Sequence, residues 1–139
     1  MFCLLHDVVE DTDTPLTVIV SLFGALMWKR LLLVSKKVPV FDPVTGEVRG
    51  RTKKALAVYF DEIRTADLVV RRGKLLDRLD NLSDMRAFTF ARRKKYLCET
   101  RRYLLRIAVN TDVGLSIQLE ALCKQVGASL KQTQPKLTS

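Results

Sequence analysis

The sequence predicts an all-α fold: one domain over residues 1–130, followed by a polar tail at 131–139. Three observations predict it. Apolar residues recur at helical spacing along most of the chain. Strand signals are weak by comparison. The strongest run of glycine and proline punctuation falls in one segment, residues 36–51. With 139 residues the chain can bury a sizeable core.

The elements follow in order. Phe2 to Val9 is apolar from its first residue and carries no start signal, so it reads as the last turns of a helix. Thr14-Pro15 is a helix start, with Thr14 as N-cap and Pro15 at the first helical position. Leu16, Ile19, Val20 and Phe23 follow at helical spacing, and Gly24 ends that helix or links it to the next. A short helix then reaches Ser35. Lys36 to Arg51 reads as a loop, because it holds Pro39, Asp42-Pro43, Gly46 and Gly50. Helices are predicted over 53–65, 66–88, 92–109 and 113–130. The second of these places Leu68, Leu75, Leu76, Leu79, Leu82 and Met85 on its apolar stripe, with Gly73 as a weak spot. The third turns Tyr96, Leu97, Tyr103, Leu104 and Ile107 inward. The tail holds Pro135 and is expected to fray.

Composition narrows the function classes. Apolar residues are 47% and charged residues 28%, as in a folded globular domain. No uninterrupted apolar run reaches the ~18 residues of a membrane span. The first basic residue is Lys29, which is not the pattern of a secretory signal. Cys3, Cys98 and Cys123 are an odd number and widely spaced, which argues against a disulfide framework and fits a reducing, cytoplasmic compartment. The net charge is +9. Residues 1–28 carry four acids and no Lys or Arg, whereas the remainder carries 24 basic and 11 acidic residues. A basic body with one acidic corner suggests a cation site that receives an anion.

That corner is His6-Asp7-Val8-Val9-Glu10-Asp11. Imidazole plus carboxylate suits a manganese- or zinc-class cation. Glu10 lies one turn after His6, and Asp11 one turn after Asp7. A second cluster lies in Lys74 to Leu82, where Asp77 and Asn81 share a helix face and Asp84 follows one turn on. Each could equally be ordinary: helix-end acids cap or stay solvated, and Asp77 could pair with Lys74.

LLHDVVEDT (4–12) and KLLDRLDNLSDMR (74–86) together resemble the two signatures of the HD-type hydrolase domain of RelA/SpoT proteins. KYLCETRRYLLRIA (95–108) resembles the helix that follows them. The resemblance implies an HD-domain-like helical bundle lacking its first helices, an N-terminally truncated copy. It implies one divalent metal, usually manganese, and hydrolysis of the 3′-pyrophosphate of the alarmone (p)ppGpp. His6 and Asp7 match the HD metal pair and Asp77 the last metal aspartate. Glu10 and Asp11 match the acidic pair that activates water, and Asn81 an asparagine near the nucleotide. Lys36 and Arg78, with Lys37 and Arg86, are the expected phosphate contacts. A metal would lower the pKa of bound water towards ~7 and offset phosphoryl charge.

The sequence departs from the family in three places. The family uses a second metal histidine, and this chain has only His6. Asp80 stands where His is common, and Asp84 where Thr is common. Turnover is therefore expected to be very low. The alternative is a non-catalytic remnant, or a basic helical module that binds an anionic partner such as a nucleotide or nucleic acid. Arg92-Arg93-Lys94-Lys95 and Arg101-Arg102, with Tyr96 and Tyr103 interleaved, are the residues for nucleic acid. With the tyrosines facing the core, the basic residues are better explained as a solvated face. A nucleophilic cysteine is not expected: Cys3 and Cys123 sit among leucines, and Cys98 lacks a histidine base.

Overall fold

The computed structural model describes residues 2–133, with side chains from Leu5 onward. The side chain of Cys3 and residues 134–139 of the predicted tail lie outside the described residues. The chain forms two compact units, residues 1–74 and 75–139. It is mainly helical, with one departure from the all-α expectation, a two-stranded antiparallel sheet.

In the first unit, α1 (Phe2–Asp11) leads to α2 (Leu16–Val34). Thr14 does not cap α2. Its hydroxyl lies 2.7 Å from that of Thr12, and Pro15 is the N-cap residue, its carbonyl accepting from the Val18 and Ile19 N–H groups. Gly24 takes φ 79° and ψ 160°, so α2 is two helical pieces joined at a kink. The helix ends at Ser35, whose N–H and hydroxyl both donate to the Leu31 carbonyl. By length and composition alone α2 is long and apolar enough to cross a membrane, although Thr17, Ser21, Lys29 and Arg30 interrupt it, as expected. Its buried residues are Ile19, Leu31 and Val34, while Leu22 and Leu26 are exposed.

Residues 36–51, read as a loop, are mostly hairpin: β1 (Lys37–Phe41) pairs with β2 (Val48–Lys53). The turn between them is the predicted Asp-Pro-Val-Thr-Gly. Asp42 Oδ1 accepts from the Val44 and Thr45 N–H groups at 2.7 and 2.9 Å, and Gly46 takes φ 72°. These hydrogen bonds, with the Arg49 guanidinium beside it, hold the Asp42 carboxyl below its ordinary range. β2 is exposed along almost its whole length, so no alternation betrays it in the sequence. Pro39 and Gly50 are tolerated because both strands are edges.

α3 (Leu56–Thr65) buries Tyr59, Phe60 and Ile63. It begins three residues later than predicted, because Lys53 is still in the sheet. The core of this unit includes Val9, Ile19, Leu31, Val34 and Val70, with Leu5, Phe23, Met27 and Trp28 packed against it.

α4 (Leu68–Ser83) runs through the boundary between the units. Leu75 and Leu82 on it are buried, as is Met85 just beyond its end. Leu68 and Leu76 are 44% and 52% exposed and leave the predicted stripe. Leu68 opens the helix, and Leu76 lies about 100° round from Leu75.

In the second unit α5 (Phe90–Glu99), a π-helical turn (Thr100–Leu104) and α6 (Leu105–Val109) run consecutively where one helix was predicted. Thr89 caps α5, its hydroxyl accepting from the Arg92 N–H at 3.2 Å. Asp112 does the same for Leu115 at the start of α7 (Val113–Thr133). Leu97, Leu104, Ile107, Leu119, Cys123 and Leu130 are buried in this unit. Burial pushes the Cys123 thiol up, which agrees with a small core hydrophobe rather than a nucleophile.

Candidate active site

The HD pair sits in the second half of α1. His6 and Asp7 are neighbours there, with Nε2 to Oδ1 at 3.2 Å. The His6 side chain is 22% exposed and that of Asp7 70%. An imidazole nitrogen beside a carboxylate oxygen is a donor pair that a manganese- or zinc-class cation takes, so the chemistry of these two residues fits such an ion. Asp77 and Asn81 lie one turn apart on α4, both half-buried, in the second unit. Among the described residues no group of three or more His, Cys, Asp or Glu side chains is placed to hold a metal ion.

The two acids predicted to act on water have different surroundings. Glu10 Oε1 accepts from the Lys36 N–H at 2.5 Å and from the Lys37 N–H at 3.5 Å. It ties the end of α1 to the start of β1. Asp11 is exposed. Beyond it the loop is held by Arg51, which donates to the Thr12 carbonyl at 2.5 Å and pairs with Asp13 at 3.1 Å.

The predicted phosphate contacts also diverge. Lys36 places its ammonium 5.5 Å from the Tyr59 ring centre and 5.9 Å from that of Phe60. Lys54 and Lys74 each lie 5.9 Å from the same Tyr59 ring, whose hydroxyl donates to the Val34 carbonyl. Sequence reasoning missed this convergence of three lysines on one buried tyrosine. Its members are far apart in the chain, and no local pattern marks them.

Arg78 does not face solvent as a phosphate contact would. It is 1% exposed and pairs with the 4%-exposed Glu99 at 3.1 Å. It also donates to the Tyr96 carbonyl at 3.0 Å and the Thr100 hydroxyl at 3.3 Å, and stacks 4.3 Å from the Tyr96 ring. Arg86 is exposed and grips Asp84 through Nε and Nη2 at 2.9 and 2.8 Å. That grip, chiefly the side-chain hydrogen bonds, lowers the Asp84 carboxyl to about 2. Asp84 thus carries its own counter-charge.

Tyr96 and Tyr103 are half-buried, while Arg92, Lys94, Lys95, Arg101 and Arg102 are exposed. Arg92 lies 4.1 Å from the Phe88 ring and 5.6 Å from that of Tyr96. No family model matches this chain, and none of the curated proteins matches it.

Proposed function

We propose that the chain is a metal-dependent phosphohydrolase of the HD type, similar to the (p)ppGpp 3′-pyrophosphohydrolases of the RelA/SpoT family, with low turnover. The observation that carries this reading is the joint presence of H-D-x-x-E-D-T at 6–12 and K-L-x-D-R-L-x-N at 74–81. The adjacency of the His6 and Asp7 donor atoms supports it. His6 and Asp7 would hold the divalent cation, and the resemblance assigns Asp77 as the third ligand. The cation, when bound, acidifies water and offsets charge on the phosphoryl oxygens. The Asp11 carboxylate is the general base that takes the proton from water, because Glu10 is committed to the Lys36 N–H. Glu10 positions the end of α1. Asn81 and Lys36 face the nucleotide in this reading. Arg78 does not, and holds the helix that carries Asp77 and Asn81.

Two observations favour a second reading, nucleotide binding without turnover: the commitment of Glu10 to backbone, and the single histidine. One experiment separates them. Manganese and ppGpp binding are measured by calorimetry, and pyrophosphate release is followed on the same samples. Weak manganese binding, lost in His6→Ala and Asp77→Ala, is expected. Asp11→Asn should keep the metal and lower the residual release by ~10²–10⁴. Binding of both ligands without any release would leave the second reading, and binding of neither would remove both.

A further inference from the structure

A groove of about 480 Å³ lies in the second unit, between α5 with the π-helical turn and α7. It uses none of the residues of the two motifs. Its volume is that of an ordinary small-ligand site. Phe90, Leu97, Leu130 and Ala128 give it apolar walls. Lys94, Arg101, Lys124 and Lys131 line it as well, and among the described residues no carboxylate does. Glu120 lies 3.5 Å from Lys124 in an exposed pair.

The placement of Arg101 follows from two local features. It belongs to the π-helical turn, whose extra residue re-aims the side chains that follow it. Its Nη2 donates to the Cys123 carbonyl at 3.3 Å. A Cβ at position 127 would come within 2.8 Å of that same nitrogen, so Gly127 leaves room for the guanidinium beside α7.

We infer that this groove binds a small amphipathic anion: an apolar body of aromatic or acyl type carrying one carboxylate, sulfonate or phosphate. The argument is charge and shape together. A neutral apolar compound would answer none of the positive charge that Lys94, Arg101 and Lys131 bring to the groove. A bare inorganic anion would leave the exposed Phe90 and Ala128 wet. An amphipathic anion answers both, with its head toward Arg101 and the lysines and its body on the apolar wall.

The exposed Cys98 also lines the groove and serves as a local reporter. The probe is 8-anilinonaphthalene-1-sulfonate, titrated by fluorescence against the whole chain. Thiol modification is followed in parallel by the mass of the peptide containing Cys98, so Cys3 and Cys123 do not contribute. The probe should bind and slow modification of Cys98, decanoate should displace it, and inorganic phosphate should not. The double charge reversal Lys124→Glu/Lys131→Glu, and separately Ala128→Glu, should weaken binding by about tenfold or more. All three positions are exposed, and unchanged circular dichroism confirms the fold. Displacement by inorganic phosphate as effective as by decanoate would overturn the apolar half of the inference. Probe binding that leaves Cys98 modification unchanged, or that both variants retain, would overturn the whole of it.

Discussion

Arg78 is the residue at which the sequence and the folded chain differ most. In the sequence it is one more cation beside an aspartate, and a phosphate contact is a natural reading. In the fold it is almost fully buried, with Glu99 and Tyr96 around it. Its Nε has no hydrogen-bond partner, which is a cost the pair with Glu99 must offset. Removing one partner of such a pair strands the other charge. Glu99→Ala should therefore destabilise the chain by ~3–5 kcal/mol, read by urea unfolding. The double variant Arg78→Met/Glu99→Leu should lose much less, because no buried charge remains. Equal losses in both would mean that packing, not charge, decides this site. Asp84 makes the opposite case, an exposed ion pair. Its carboxyl titrates at about 2 instead of 3.8, so it favours the folded state above pH 3.8. That contribution disappears as the pH falls through 2. Asp84→Asn should flatten stability against pH within this window, and only slightly, since the pair is solvated. An unchanged slope would show that Arg86 does not hold Asp84 in solution.

Among the elements, helices were legible wherever apolar periodicity and a breaker coincided. Gly24 is an example: the spacing allows an end or a link there, and it is the link. Its φ of 79° with ψ of 160° is a conformation that only glycine takes readily. Gly24→Ala should lower stability by ~1–3 kcal/mol in thermal unfolding. Higher helicity at unchanged stability would mean that α2 straightens without loss. The β1–β2 hairpin was not legible. A strand is recognised by alternation, and β2 is solvated along nearly all its length. Only its turn, Asp42 to Gly46, was readable, because turn chemistry is local. The π-helical turn was equally invisible. Thr100 at its start is fully buried and bonds back to the Tyr96 carbonyl at 2.7 Å, a choice made by packing.

For the whole molecule the net charge of +9 is the property that bears on an anionic ligand. Long-range attraction of this kind is screened by salt. On the proposed reading, ppGpp binding should weaken as salt rises from ~0.01 M to ~1 M, over which the Debye length shrinks from about 30 to about 3 Å. Affinity independent of salt would assign binding to short contacts alone. The sequence by itself determined that the chain is mainly helical and where its helices lie to within a few residues, because periodicity and turn residues are local properties. The tertiary structure alone decided that Arg78 and Glu99 are a buried pair, that Glu10 is bound to the backbone of Lys36, and that three lysines meet at Tyr59. Burial and partner choice depend on which distant segments come together, and no spacing within a single helix encodes that.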